Sequence, residues 1–131
     1  MTQSLALGLY LAWSARGGRR FAERKLRERV GLGKEDPARL DERRGIAARP
    51  RPEGPLIWFH AASVGESLAL LELIRQLLDD RDDLTILVTT GTVTSAGVMA
   101  DRLPARAFHQ YLPLDARAFV QRFLDHWRPD L

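Results

Sequence analysis

Between residues 55 and 131, apolar residues fall into short unbroken runs alternating with longer stretches at helical spacing. Leu56 to Phe59 is a continuous run containing Ile57 and Trp58, and it predicts a buried strand. A small-residue loop follows, Ala61-Ala62-Ser63-Val64-Gly65, and Glu66 and Ser67 open a helix to about Leu78. Its apolar set, Leu68, Leu71, Ile74, Leu77 and Leu78, lies on one helical face. Leu84 to Val88 predicts a second buried strand. Thr89-Thr90-Gly91-Thr92 reads as the next turn, and residues 94–103 as the next helix. Phe108 to Leu112 is a third strand, and Ala116 to Trp127 a third helix stopped by Pro129. Strand and helix alternate with short loops, so the pattern predicts an α/β fold: a Rossmann-like parallel sheet with flanking helices. A fourth strand is expected to start near Arg128-Pro129-Asp130-Leu131.

The front of the chain is different. Residues 4–15, SLALGLYLAWSA, form an apolar run of about a dozen residues, short of the ~20 a spanning helix requires. No charge precedes it, and Arg16, Arg19 and Arg20 follow it, the reverse of a secretory signal. That order predicts a short helix lying at a membrane surface, its basic end facing anionic headgroups. Residues 16–30 read as a basic helix with Phe21, Leu26 and Val30 as sparse apolar positions, ended by Gly31 and Gly33. The expected organisation is an apolar and basic arm over 1–33, an exposed connection over 34–54, with one short helix near 37–44, and an α/β domain over 55–131.

Charge sharpens this division. Residues 1–51 hold 13 Lys and Arg against 6 Asp and Glu, a net of +7; residues 52–131 hold 7 against 11, a net of −4, giving +3 for the whole. A basic front end on an acidic body points to an anionic partner for that end. The Arg-rich stretch lacks interleaved aromatics, so nucleic-acid readout is only weakly supported. There are no cysteines, which excludes disulfides, thiolate catalysis and Cys-ligated zinc. His60, His109 and His126 follow no metal-ligand spacing. Neither the GxxxxGK[ST] nor the GxGxxG fingerprint is present.

In open parallel sheets, ligands bind beyond the carboxyl ends of the strands. The loops at 60–66 and 89–92 sit at that edge. Glu66 near a helix start is most often a capping carboxylate. Small neighbours such as Gly65 also leave room for a substrate hydroxyl beside it, and a carboxylate with an open face can take a proton. Ser63 lacks the frame of a nucleophile elbow and reads as a turn residue. Thr89, Thr90 and Thr92, with Gly91, either bind a polar acceptor or satisfy the turn and cap the next helix.

HAASVGE at 60–66, LVTTGTVTSA at 87–96, QYLPLD at 110–115 and FLDHWRPDL at 123–131 together resemble the N-terminal domain of 3-deoxy-D-manno-octulosonic acid (Kdo) transferases. The resemblance covers essentially the whole chain. It implies the N-terminal half of a two-domain GT-B glycosyltransferase with inverting transfer of Kdo from CMP-Kdo to a lipid A precursor in lipopolysaccharide synthesis. It also implies no metal or other cofactor, and work at the cytoplasmic face of a bacterial inner membrane. The family's catalytic base falls on Glu66. Ser63, Gly65, Thr89, Thr90, Gly91, Thr92 and the arginines Arg16, Arg19 and Arg20 become candidate substrate contacts. The family's E-x-E-L-W-P-N motif and the C-terminal domain that binds CMP do not occur in these 131 residues, so the chain alone is expected to be inactive.

Overall fold

A computed structural model describes residues 18–131. Its centre is a three-stranded parallel sheet in the order β1-β2-β3, with β1 at Leu56–Ala61, β2 at Thr85–Thr90 and β3 at Ala107–Tyr111. The register pairs Leu56 with Thr85 through Ala61 with Thr90, and Ile86 with Ala107 through Thr90 with Tyr111. Helices cover both faces, which is why the strands read as unbroken apolar runs. On one face Ala61, Ile86 and Val88 pack against Leu71, Ile74 and Leu78 of one helix (Val64–Asp80) and Met99 of the next (Val93–Arg102). On the other, Leu56, Leu87 and Phe108 pack against Phe123 and Trp127 of the last helix (Arg117–Trp127). The predicted α/β fold is therefore present as a three-layer arrangement.

Two boundaries move, both at the sheet's carboxyl edge. β1 runs through His60 and Ala61, and β2 through Thr89 and Thr90, where turns were expected. Thr89 and Thr90 are β-branched, fully buried on opposite faces of the sheet, and paired with both neighbouring strands. Polarity made them read as turn residues; a strand buried on both sides accepts them because each hydroxyl finds a partner.

The basic helix forms as α1, Arg19–Gly31. Ala22 is buried with Ala116 and Phe119, and Leu26 is also buried. The chain leaves the helix through Gly33 in the left-handed region, at φ 70°. The apolar run at 4–15 and Arg16 lie outside the described residues. No helix among the described residues is long and apolar enough to cross a membrane.

The segment after α1, expected to be exposed, is pinned to the body at several residues. It forms a 3-10 turn at Pro37–Arg39 and a short helix α2 at Leu40–Arg43. Glu35, Glu42 and Arg43 are buried. Glu42 Oε1 accepts the Tyr111 N–H at 3.0 Å, and Arg39 closes a two-pronged pair on Glu42 with both distances at 2.6 Å. Glu35 Oε1 lies 2.7 Å from Arg29 Nε and 3.3 Å from Arg43 Nε; the second is an ion pair without hydrogen-bond alignment. The cause is the outer edge of β3, whose free backbone donor requires an acceptor when buried. Paired charges can be buried, so a charge-rich composition does not by itself signal exposure.

The other sheet edge is also occupied. The Asp130 N–H donates to Leu56 O and the Trp58 N–H to Leu131 O, each at 2.8 Å, and Asp130 Oδ2 accepts the Leu56 N–H at 2.8 Å. Residues 130–131 thus lie along β1 where a fourth strand was expected to start. The helices from Val64, Val93 and Arg117 are hereafter α3, α4 and α5.

Candidate functional site at the carboxyl edge of the sheet

β1 delivers the chain to the start of α3, where Ser63 is the N-cap. Ser63 Oγ accepts the Glu66 N–H at 3.1 Å, and Glu66 Oε2 accepts the Ala62 N–H at 2.7 Å. This is a reciprocal capping arrangement that satisfies the Ala62 N–H just after β1 and the Glu66 N–H in the first turn of α3. Ser63 O also accepts the Ser67 hydroxyl at 2.9 Å. One side of Glu66 stays open: its Oε1 has no protein donor among the described residues, and the residue is exposed. A side chain at Gly65 would meet only Ser63 Oγ, at 3.9 Å, and one at Gly91 would meet nothing within 4 Å. The space beside Glu66 is thus kept free by absence of side chains, not demanded by the protein's own packing. The capping role and the open carboxylate oxygen coexist on one residue.

β2 delivers the second loop. Thr92 caps α4, its Oγ1 accepting the Ser95 N–H at 3.1 Å. Thr89 and Thr90 do not reach the surface; they brace two imidazoles. Trp58 Nε1–H donates to Thr89 Oγ1 at 2.9 Å, and His60 Nδ1 lies 3.0 Å from the same oxygen. Thr90 Oγ1 lies 2.8 Å from His109 Nε2. Arg39 Nη2 lies 3.0 Å from His109 Nδ1. A guanidinium only donates, so Nδ1 accepts and Nε2–H donates to Thr90. Burial, then the Arg39 charge, hold the His109 pKa down at about 4, and the ring is neutral at pH 7.

The basic arm contributes at a place that composition did not single out. Arg29, Gly33 and Lys34, at the end of α1, line a depression of about 410 Å³ together with Thr92, Val93 and Thr94. Two cations therefore stand beside the start of α4, whose backbone donors already favour negative charge. Arg19 and Arg20 line a separate open depression of about 480 Å³ with Glu23 and Arg27. Arg16 lies outside the described residues. His60 and His109 show no metal-ligand spacing in the sequence; the two-residue alternation of β1 and β2 is the signal that places Trp58, His60 and Thr89 on one face. Among the described residues, no group of three or more His, Asp or Glu side chains could hold a metal ion.

Taken together, the geometry defines a parallel α/β domain with two capped helix starts, an open carboxylate and a cationic rim at the carboxyl edge of its sheet. The family described as 3-deoxy-D-manno-octulosonic-acid transferase (Kdo transferase) matches residues 38–131. The chain belongs to this family. It is 45% identical over 98 residues to a probable mitochondrial 3-deoxy-D-manno-octulosonic acid transferase of Arabidopsis thaliana, covering 75% of this chain and 22% of that protein. It is 42% identical over 103 residues to the 3-deoxy-D-manno-octulosonic acid transferase of Rickettsia bellii, covering 79% and 25%. The enzyme of that name from Haemophilus influenzae is 42% identical over 96 residues, covering 71% and 22%. The chain thus spans a quarter or less of the length of these relatives. No solved structure gives a significant match.

Proposed function

We propose that this chain is the N-terminal part of an inverting GT-B glycosyltransferase that transfers Kdo from CMP-Kdo to a lipid A precursor, lipid IVA, in lipopolysaccharide synthesis. Glu66 is the general base. The acceptor hydroxyl oxygen attacks the anomeric carbon, its proton passes to Glu66, and the bond from that carbon to the CMP phosphate oxygen breaks. Attack from the face opposite CMP inverts the configuration. The single observation carrying this reading is that Glu66 keeps Oε1 free at the open sheet edge while Oε2 is fixed by the Ala62 N–H. A base held by one oxygen is oriented without being consumed.

Ser63 and Thr92 shape the two loops, Gly65 and Gly91 leave room for the acceptor, and Thr89 and Thr90 serve through the imidazoles they brace. The phosphorylated acceptor suits Arg29 and Lys34 beside α4, with Arg16, Arg19 and Arg20 toward anionic headgroups. CMP-Kdo is bound chiefly by a C-terminal domain, the reaction uses no metal or other cofactor, and nucleic acid is not a partner. The place of work is the cytoplasmic face of a bacterial inner membrane, with residues 1–33 as the surface-seeking arm. The chain without a second domain is inactive.

The test uses the chain extended through its C-terminal domain and follows Kdo transfer to the lipid acceptor. Glu66→Gln retains an oxygen for the Ala62 N–H but cannot take a proton. We expect kcat to fall by a factor of about 10²–10⁴ with an unchanged melting temperature. Transfer at near wild-type rate would make Glu66 a cap only. It would favour the second reading, a non-catalytic α/β module that binds anionic lipid, for which the capping geometry itself speaks.

A further inference from the structure

A cavity of about 130 Å³ lies between the outer edge of β3 and the segment carrying α2, away from Glu66. Its wall includes Gln110, which is 2% exposed. Trp127 Nε1–H donates to Gln110 Oε1 at 2.9 Å. An indole N–H can only donate, so this bond fixes which end of the amide is oxygen. The amide NH2 is then left as a buried donor, and Nε2 has no hydrogen-bond partner. Buried donors without acceptors are rare because the lost hydration is not replaced.

The rest of the wall repeats the shortage. Arg39 and Arg49 both line the cavity. Arg39 spends Nε and Nη2 on Glu42 and His109, and its Nη1 has no protein acceptor among the described residues. The Arg49 guanidinium lies 4.3 Å from the Phe108 ring centroid and has no ion-pair partner among the described residues. The side-chain acceptors of the wall are already engaged elsewhere. Glu42 receives Arg39 twice and the Tyr111 N–H once, and His109 Nδ1 receives Arg39. Two guanidiniums against one carboxylate leave the wall one charge positive.

We infer that this cavity is a binding site for a small oxyanion, a carboxylate or phosphate group, held by the Gln110 NH2 and the Arg39 and Arg49 guanidiniums. A water occupies about 30 Å³ of liquid, so the space suits a group of several heavy atoms. An oxyanion supplies what the wall lacks, several acceptor oxygens and a negative charge. The site is independent of Glu66 and of the reaction assigned to it.

The test titrates this chain with sodium phosphate and, separately, sodium acetate, against sodium chloride of equal ionic strength. It follows the Gln110 side-chain amide by ¹H–¹⁵N correlation and the melting temperature. Gln110→Glu keeps an oxygen for Trp127 and places a second carboxylate oxygen in the cavity, as a built-in substitute for the ligand. Arg49→Met removes a cation from an exposed position while keeping an unbranched apolar chain over the Phe108 ring. A saturable shift of the Gln110 amide and a rise in melting temperature are expected for the wild type, both weakened about tenfold or more in Arg49→Met, while the melting temperature of Gln110→Glu, which has no side-chain amide to follow, does not respond. Response to phosphate alone, acetate alone or both assigns the anion class and in each case supports the site. No response beyond chloride, or an equal response in wild type and Arg49→Met, means the cavity holds water only and overturns the inference.

Discussion

Lowering the pH from 7.5 to 4.5 should weaken this fold through His109, and the size follows from its surroundings. The ring is wedged between Thr90 and Arg39, with Tyr111 edge-on at 5.1 Å between centroids. Its pKa falls from 6.5 to about 4, because of burial first and the Arg39 charge second. The sign is fixed by which state binds the proton. Between about pH 6.5 and 4 the unfolded chain protonates this histidine and the folded chain does not, so stability present above 6.5 is lost as pH falls toward 4. At about 1.4 kcal/mol per unit, the ceiling is about 3 kcal/mol, and partial exposure of the ring brings it to about 2. The assay is urea unfolding of wild type and His109→Gln at steps from pH 7.5 to 4.5. Glutamine offers Thr90 an N–H and Arg39 an oxygen but does not titrate. Wild type should lose about 2 kcal/mol relative to the variant across that range, and an NMR titration should place the His109 midpoint near 4. Parallel stability curves, or a midpoint near 6.5, would refute the argument.

Other outcomes follow from the same structure. Gly45 has φ 80°, and an added Cβ would stand 2.0 Å from the Phe119 carbonyl oxygen. Gly45→Ala should therefore cost about 3 kcal/mol or more, read by thermal melting, and a loss below about 1 kcal/mol would mean the approach relaxes freely. Glu42→Ala strands the Tyr111 N–H and unpairs Arg39, for a loss of about 2–4 kcal/mol in urea unfolding. Glu42→Gln keeps one acceptor and should lose distinctly less; equal losses would show that the backbone donor at the β3 edge is irrelevant.

Much of the fold was legible because helices cover both faces of the sheet and each helix buries one stripe. Ile86 to Val88 and the Leu71, Ile74 and Leu78 stripe announce their partners through apolar content alone. Strand ends were not legible. Thr89 and Thr90 carry turn-like polarity, and only the neighbouring His60, Trp58 and His109 show why they remain in the sheet. The buried residues between Lys34 and Gly54 were not legible for the same reason. Glu35, Glu42 and Arg43 are charged in the sequence and paired in space, and pairing is not encoded by local composition.

The candidate site divides along the same line. The spacing of Ser63 and Glu66 is local, so a capping carboxylate at a helix start was visible from the residues themselves. The motifs from His60 to Leu131 carried the family, since order and identity of residues survive without coordinates. Tertiary structure alone decided the rest. It showed Glu66 capping with one oxygen and open at the other, and it brought Arg29 and Lys34 to Thr92. It also left the Gln110 NH2 without an acceptor, in a residue lining a cation-bearing cavity, once Trp127 had taken its oxygen. Short-range hydrogen bonds follow the order of residues, whereas an empty acceptor position or a rim of distant cations exists only after the chain has closed on itself.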